Sequence, residues 1–335
     1  MVTIQIPEEL YYSDFFNLFW PLFEKLGLKS YILYLHVVYV YVFAILAVLA
    51  VVAVVLIRKS RKKQKTSTTR IEEPVQNAQE PETVESSEPR ILAAVYQHIG
   101  TREDQQDSYG VSEPGDYSEK GLIAVVADGM GGLANGRMVS SALVRSFING
   151  FTKADPRQNS ADFLLEQAMI ANAGVNQMLQ GQQSSGSTLI SCVIRNGYLH
   201  FLTVGDSRLY LYRGGAMIQL NREHIYQEEL AVKAVNQLNS LQQVRGDRQA
   251  QALTSFFGIG RMPYLDRNDE GILLVDGDKL LLASDGVFGT LSRGQMSDAL
   301  AKDVSTAAKT MGEMIRAANR KHQDNNTAVV LEYRI

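Results

Sequence analysis

The stretch "GLIAVVADGMGG", residues 121–132, is an apolar run that stops abruptly at one aspartate and three glycines. Residues 121–127 are short and rich in branched apolar side chains, which predicts a buried strand. Asp128 then stands alone in a loop of almost no side chains. The same device recurs in "TVGDS" at Asp206, in "LLASDG" at Asp285, and in "HQDNNTAVV", where Asp324 abuts another apolar run. For any one of these, turn chemistry is a sufficient explanation, since Asp-Gly and Asp-Asn start turns well. Four together are different. The strand ends of one sheet lie side by side, and carboxylates gathered there repel and lose water at a cost of several kcal/mol unless cations neutralise them.

Oxygen ligands without histidine or cysteine favour Mg²⁺ or Mn²⁺ over Zn²⁺. The five histidines (36, 98, 200, 224 and 322) never fall at zinc-ligand spacing. Glycines 129, 131 and 132 would let backbone carbonyls approach an ion closely. Upstream, "TREDQQDSYG" adds Asp107 and Arg102 just before a strand. A guanidinium fork beside carboxylates suits an anionic, phosphate-bearing ligand. Two metals, an arginine and no protein nucleophile describe metal-assisted phosphate hydrolysis.

The chain has 335 residues, 45% apolar and 21% charged, with a net charge of −3, which offers nothing to a nucleic acid. Its single cysteine, Cys192, sits inside "STLISCVI" and reads as a buried inert thiol rather than a nucleophile. Residues 31–57 carry no charged side chain and are long enough to cross a bilayer, which predicts a transmembrane helix in contact with lipid. Six basic residues in "RKSRKKQK" follow it, so the C-terminal part is expected in the cytoplasm and the chain in the cell membrane as a single-pass protein. A cleaved signal peptide is the competing reading, but its positive charge would precede the apolar run. Residues 1–30 form an extracytoplasmic or interfacial segment with an aromatic, partly amphipathic stretch. Residues 58–90 are a linker, basic and then rich in glutamate and proline. A single large domain over 91–335 remains.

Within it, 121–127, 187–195, 198–204, 208–213, 271–275, 279–284 and 326–333 predict strands. Turn signals at Asn196-Gly197 and Asp276-Gly277-Asp278 predict hairpins and hence antiparallel neighbours. Helical periodicity covers roughly 136–151, 160–180, 227–243 and 304–320. Strands in hairpins with grouped helices indicate an α+β fold.

The ordered set "REDQQDSYG", "VVADGMGG", "SSGSTLI", "FLTVGDSRLYLYR", "LNREH", "LTSFFG", "LLLASDGV" and "DNNTAVV" resembles the metal-dependent protein phosphatases, the PPM or type 2C serine/threonine family, across about 91–335. The resemblance implies a four-layer αββα sandwich with two Mn²⁺ or Mg²⁺ ions at one edge. It implies that Asp128 bridges both metals while the Gly129 carbonyl binds one of them, that Asp285 and Asp324 complete the first site, that Asp107 acts through a metal-bound water, and that Arg102 holds the phosphoryl group. The implied partners are phosphorylated proteins, among them membrane kinases or their substrates.

Several positions depart from the family pattern. Gln105-Gln106 stand where an acidic residue is usual, Met130 where animal members carry histidine, and Gly289 where a second aspartate would help a third metal. That leaves Asp206 as a weak third-site ligand. Asp206 and Arg208 can also serve simply to hold their turn. His224 reads as structural or merely exposed rather than catalytic, the segment 225–250 as either a substrate-bordering flap or a solvated helix, and "SSGST" as a strand-leading turn, since it lacks the lysine and helix of a phosphate loop. Two alternatives stay open: a pseudophosphatase scaffold that binds phosphoproteins, and a nonprotein phosphate ester as substrate.

Overall fold

Why residues 122–127 are apolar at every position, rather than at every second one, is answered by what covers them. The structure, a computed structural model, describes residues 89–113, 117–131, 135–180, 185–237 and 247–335. In chain order these form β1 (Arg90–His98), β2 (Asp107–Val111), α1 (Tyr117–Lys120), β3 (Leu122–Met130), α2 (Asn135–Lys153), α3 (Ser160–Leu179), β4 (Gly186–Ser187), β5 (Leu189–Arg195), β6 (Tyr198–Val204), β7 (Arg208–Arg213), β8 (Ala216–Gln219), α4 (Tyr226–Gln237), β9 (Asp266–Arg267), β10 (Ile272–Leu273), β11 (Lys279–Ala283), α5 (Asp285–Phe288), α6 (Arg293–Leu300), α7 (Val304–Ala317) and β12 (Asn326–Arg334). The expected membrane span 31–57, the segment before it and the linker up to residue 88 lie outside the described residues, as does the expected helix beyond Gln237. Among the described residues no helix is long and apolar enough to cross a membrane.

The strands form two antiparallel sheets. One runs β1-β12-β11-β7-β8, the other β10-β6-β5-β3-β2, with β4 on β3 and β9 on β6. Side chains alternate along a strand, so Leu122, Ala124 and Val126 of β3 join Ile190 and Cys192 of β5 against Leu209, Leu280, Leu282 and Val329 of the other sheet. The intervening Ile123, Val125 and Ala127 face Leu143 and Phe147 of α2 and Leu164 of α3. Residues α6 and α7 contribute, Met296, Ala307 and Met311 among them, cover the far face of the other sheet with Leu281 and Val330. The order is helices, sheet, sheet, helices, and the continuous apolar run reflects burial on both faces.

Local chemistry sets the element ends. Asn196 and Gly197 both take positive φ (53° and 77°), the geometry of a tight hairpin turn between β5 and β6. Asn159 caps α3 by accepting from the Ala161 and Asp162 amides, and Ser292 with Gln295 forms a capping box on α6. The second expected hairpin does not form. Expected strand 271–275 shortens to β10, which pairs with β6, while β11 lies in the other sheet between β7 and β12. The Asp276-Gly277-Asp278 turn therefore carries the chain from one sheet to the other. Asp278 anchors that crossing by accepting from the Val275 amide and from Arg213. Strands β1, β8 and β9 and helices α1, α5 and α6 were not expected, and the strand expected after Arg102 begins at Asp107 itself as β2. β1 carries Ala93-Ala94 at its middle, and its exposed and buried positions do not alternate cleanly.

Cys192 is buried without a disulfide partner, and burial pushes its thiol up to about 12, so it is inert as expected.

Phe147 is fully buried, whereas Met169 on α3 is 57% exposed. In urea unfolding, Phe147→Ala is expected to lower stability by about 3–5 kcal/mol through lost burial and a residual cavity. Met169→Ala is expected to stay within about 0.5 kcal/mol.

Candidate active site

Antiparallel pairing decides where the aspartates go. In such a sheet the start of one strand lies beside the end of the next. Asp107 opens β2 and pairs directly with Asp128 near the end of β3. Since β5 separates β3 from β6 and runs against both, the end of β6 reaches the same edge and delivers Asp206 in the turn after it. In the other sheet β11 ends just before Asp285, and its antiparallel neighbour β12 starts just after Asp324. The carboxylates thus come from both sheets, not from one, and meet at a single edge of the sandwich.

They share a cleft of about 240 Å³ lined by Asp128, Asp206, Asp285 and Asp324, with Arg102, Gln106, Gly129 and Thr188 among the remaining wall residues. Among the described residues no three His, Cys, Asp or Glu side chains are placed so that they could together hold a metal ion as they stand. The aspartates are neighbours across a cleft, each feeling the others' charge. Burial first, then the charges of Asp107 and Asp285, raises Asp128 well above the carboxylate range. Asp206 is pushed up to about 7, first by burial and next by Asp285. Asp285 is raised by burial and by Asp324.

Asp107 lies behind this wall, 3% exposed. Its Oδ2 accepts from Ser284 Oγ at 2.7 Å and from Thr327 Oγ1 at 2.8 Å, and its buried Oδ1 has no hydrogen-bond partner among the described residues. Burial pushes its carboxyl up to about 7, and the two hydroxyls offset part of the rise. An orphaned buried carboxylate oxygen costs roughly 1–3 kcal/mol or more, so the donor set as a whole calls for hard cations. All-oxygen ligands, several of them held above their ordinary pKa by burial and then by one another's charge, fit Mg²⁺ or Mn²⁺ chemically.

Arg102 stands at the mouth, 60% exposed along its side chain, with Nη2 donating to Asp324 Oδ2 at 2.6 Å. That bond, with the charges of Asp324, Asp285 and Asp128, raises its pKa. Gly129 earns its place by close approach: a Cβ there would sit 2.2 Å from the Gly136 carbonyl oxygen and 2.7 Å from that of Gln106. Its lack of a side chain thus serves the packing of β3 against α2. Gln106 lines the cleft and donates from Nε2 to the Gly131 carbonyl. Of the two readings of His224, the structural one holds: it is buried, its Nδ1 accepts from the Gly205 amide, and its own amide donates to the Gly205 carbonyl, pinning the turn that carries Asp206. Arg208 pairs with Glu223 at 2.9 Å and stacks over Phe288 at 3.8 Å, holding the other side of that turn.

The sequence reading missed the residues that hold the aspartates. Thr188 Oγ1 accepts from the Asp128 amide and shares a hydrogen bond with Ser207, tying two aspartate-bearing turns together. Asn325 accepts from the Gln106 amide and donates to the Ile99 and Asp104 carbonyls, which fastens the loop carrying Arg102 to the turn carrying Asp324. The available signal was a small hydroxyl or amide directly beside three of the aspartates: Ser207 after Asp206, Ser284 before Asp285 and Asn325 after Asp324.

Residues 96–326 match the sequence profile of the protein phosphatase 2C family. Among curated proteins, the protein phosphatase PhpP of Streptococcus pneumoniae is 28% identical over 213 residues, covering 62% of this chain and 84% of that protein. Among solved structures, the PPM Ser-Thr phosphatase MsPP of Mycobacterium smegmatis in complex with cacodylate is 30% identical with a TM-score of 0.58, covering 72% of this chain and 97% of that one. The catalytic domain of the serine/threonine phosphatase PstP in complex with two manganese ions shares the fold at 21% identity and a TM-score of 0.58, covering 74% of this chain and all of that one (100%).

Replacing Asn325 by alanine strands three backbone groups. We expect a stability loss of about 1–3 kcal/mol and a larger fall in kcat/KM toward a phosphopeptide than Phe147→Ala produces at equal destabilisation, measured by denaturant unfolding alongside steady-state kinetics.

Proposed function

This chain belongs to the protein phosphatase 2C family and is a protein serine/threonine phosphatase acting on phosphorylated proteins, and we propose that it works with two Mn²⁺ or Mg²⁺ ions held at the aspartate cleft. The observation that carries the reading is the arrival of Asp107, Asp128, Asp206, Asp285 and Asp324 from two sheets at one edge, beside Arg102. The two manganese ions of the PstP structure support it by likeness of fold.

Bound there, such ions would polarise water and neutralise charge gathering on phosphorus. The chain's own residues divide the rest. Asp128, Asp285 and Asp324 would hold the ions, with the Gly129 carbonyl as a further oxygen donor. Asp107, fixed by Ser284 and Thr327, would add its negative charge behind the ions. Arg102, at the cleft mouth, would hold the phosphoryl oxygens with its planar fork. Met130 offers no proton at the cleft, so the leaving group takes its proton from another source. Gly289 leaves Asp206 without a carboxylate four residues past Asp285, so a third ion would be held weakly. The scaffold alternative is disfavoured because a cleft this unfavourable to keep charged has no role in binding a phosphoprotein without chemistry.

We further propose a cell-membrane location, with 31–57 crossing the bilayer, the phosphatase domain on the cytoplasmic side, and membrane kinases or their substrates among the targets. The uncharged run and its basic flank support this. Tethering would raise the effective concentration of the enzyme toward membrane-bound phosphoproteins.

With Mn²⁺ present, the protein is expected to hydrolyse p-nitrophenyl phosphate and a phosphothreonine peptide. Asp128→Asn and Asp285→Asn are each expected to lower kcat by about 100-fold or more. Full activity in either variant would refute the assignment.

A further inference from the structure

Gln97, half-buried on β1, lies outside the motifs that form the cleft, yet its amide reaches two groups that bear on Asp107. Its Nε2 donates to the Asp107 main-chain carbonyl at 3.2 Å and to Thr327 Oγ1 at 3.1 Å. A carbonyl can only accept, so the atom facing both partners is the amide nitrogen, with one hydrogen for each. Strand register sets the contact: Gln97 pairs directly with Thr327 across β1 and β12, while Asp107 opens β2 in the other sheet. The side chain therefore links the two sheets beside the cleft.

The direction of each hydrogen bond around Asp107 follows from these contacts. Thr327 Oγ1 accepts from Gln97, and a hydroxyl has a single hydrogen, so that hydrogen goes to Asp107 Oδ2 at 2.8 Å. Ser284 Oγ is committed in the same way, since it accepts from the Thr327 amide and donates to Asp107 Oδ2 at 2.7 Å. The two hydroxyls differ in what commits them. Ser284 is set by a backbone amide, which any residue but proline at position 327 would supply. Thr327 is set by one side chain, its only donor among the described residues. With both hydrogens on Oδ2, the carboxylate is gripped at one oxygen, and the buried Oδ1, without a hydrogen-bond partner among the described residues, is the oxygen left to bear on the cleft. Asp107 pairs directly with Asp128, and Ser284 precedes Asp285, so the grip sits against two of the ion-holding residues.

We propose that Gln97 is a positioning residue for the metal site: its donation to Thr327 Oγ1 fixes the Thr327 hydrogen on Asp107, which holds that carboxylate in the orientation that favours Mn²⁺ or Mg²⁺ in the cleft. Gln97 does not itself line the cleft. It acts through Thr327, and Thr327 acts through Asp107. Without Gln97 the Thr327 hydroxyl has no donor to direct it, and the carboxylate keeps only the Ser284 bond at full occupancy. The proposal rests on the two-metal reading of the cleft and adds to it a residue far from every aspartate motif but one.

The test is calorimetric titration of the metal-depleted full chain with Mn²⁺, with stability followed by urea unfolding. Gln97→Met, which keeps the length of the side chain without its donor, is expected to weaken binding about fivefold, the worth of one hydrogen bond. Thr327→Val, which keeps the shape without the hydroxyl, is expected to weaken it as much or more. The double variant separates positioning from packing: it is expected to bind within about twofold of Thr327→Val, because Gln97 then has no hydroxyl left to direct. Phe147→Ala, in the core between β3 and α2, is expected to keep wild-type affinity although it is less stable. Wild-type affinity in Gln97→Met or in Thr327→Val, effects that multiply in the double variant, or equal weakening in Phe147→Ala overturns the proposal, and Thr327→Val decides it alone where Gln97→Met does not fold. Those outcomes leave the two-metal reading standing, whereas a wild type that binds no Mn²⁺ overturns both.

Discussion

The mutual repulsion of carboxylates crowded at one edge of a two-sheet sandwich is the constraint on which the rest of this structure depends. Asp107, Asp128, Asp206 and Asp285 all stand above their ordinary pKa, with burial as the leading cause and the charge of at least one neighbouring aspartate adding to it in each case. A fold maintains such an arrangement only if something in its working life offsets the cost. Arg102 offsets part of it at Asp324, but Arg102 is exposed and sits at the rim. Divalent cations are the natural remainder of the charge balance, and they carry with them the chemistry that the family performs.

The scaffold meets this constraint by rigidity. Each aspartate-bearing turn is bonded to another one: Asp128 to the Ser207 turn through Thr188, Asp107 to Ser284 and Thr327, and the Arg102 loop to the Asp324 turn through Asn325. The bonds cross between the sheets, since Asp107 belongs to one and Ser284 and Thr327 to the other. The apolar core between the sheets and the polar network at their edge therefore fix the same relative placement. Gly129 and Gly286 permit it, since a Cβ on either would collide with a backbone carbonyl, at 2.2 Å and 2.0 Å respectively.

Much of this was legible in the sequence because strand, turn and carboxylate coincide in short motifs. The run 121–128 announces both a doubly covered strand and its terminal aspartate, and Asn196-Gly197 announces the hairpin it forms. What escaped was non-local. The Asp276-Gly277-Asp278 turn has the same local chemistry as a hairpin, but Arg213, 65 residues away, holds Asp278 and takes the chain to the other sheet. β1 is defined by its pairing with β12 rather than by its own pattern. The supporting residues Thr188 and Asn325 act across separations of 60 and more than 200 residues, which no local window contains.

The most direct measurement of the central claim is calorimetric titration of the metal-depleted protein with Mn²⁺. Convergence of the aspartates predicts two ions bound per chain, with binding weakened sharply in a variant lacking the Asp128 carboxylate. No binding at millimolar Mn²⁺, or the same isotherm with and without that carboxylate, would contradict it.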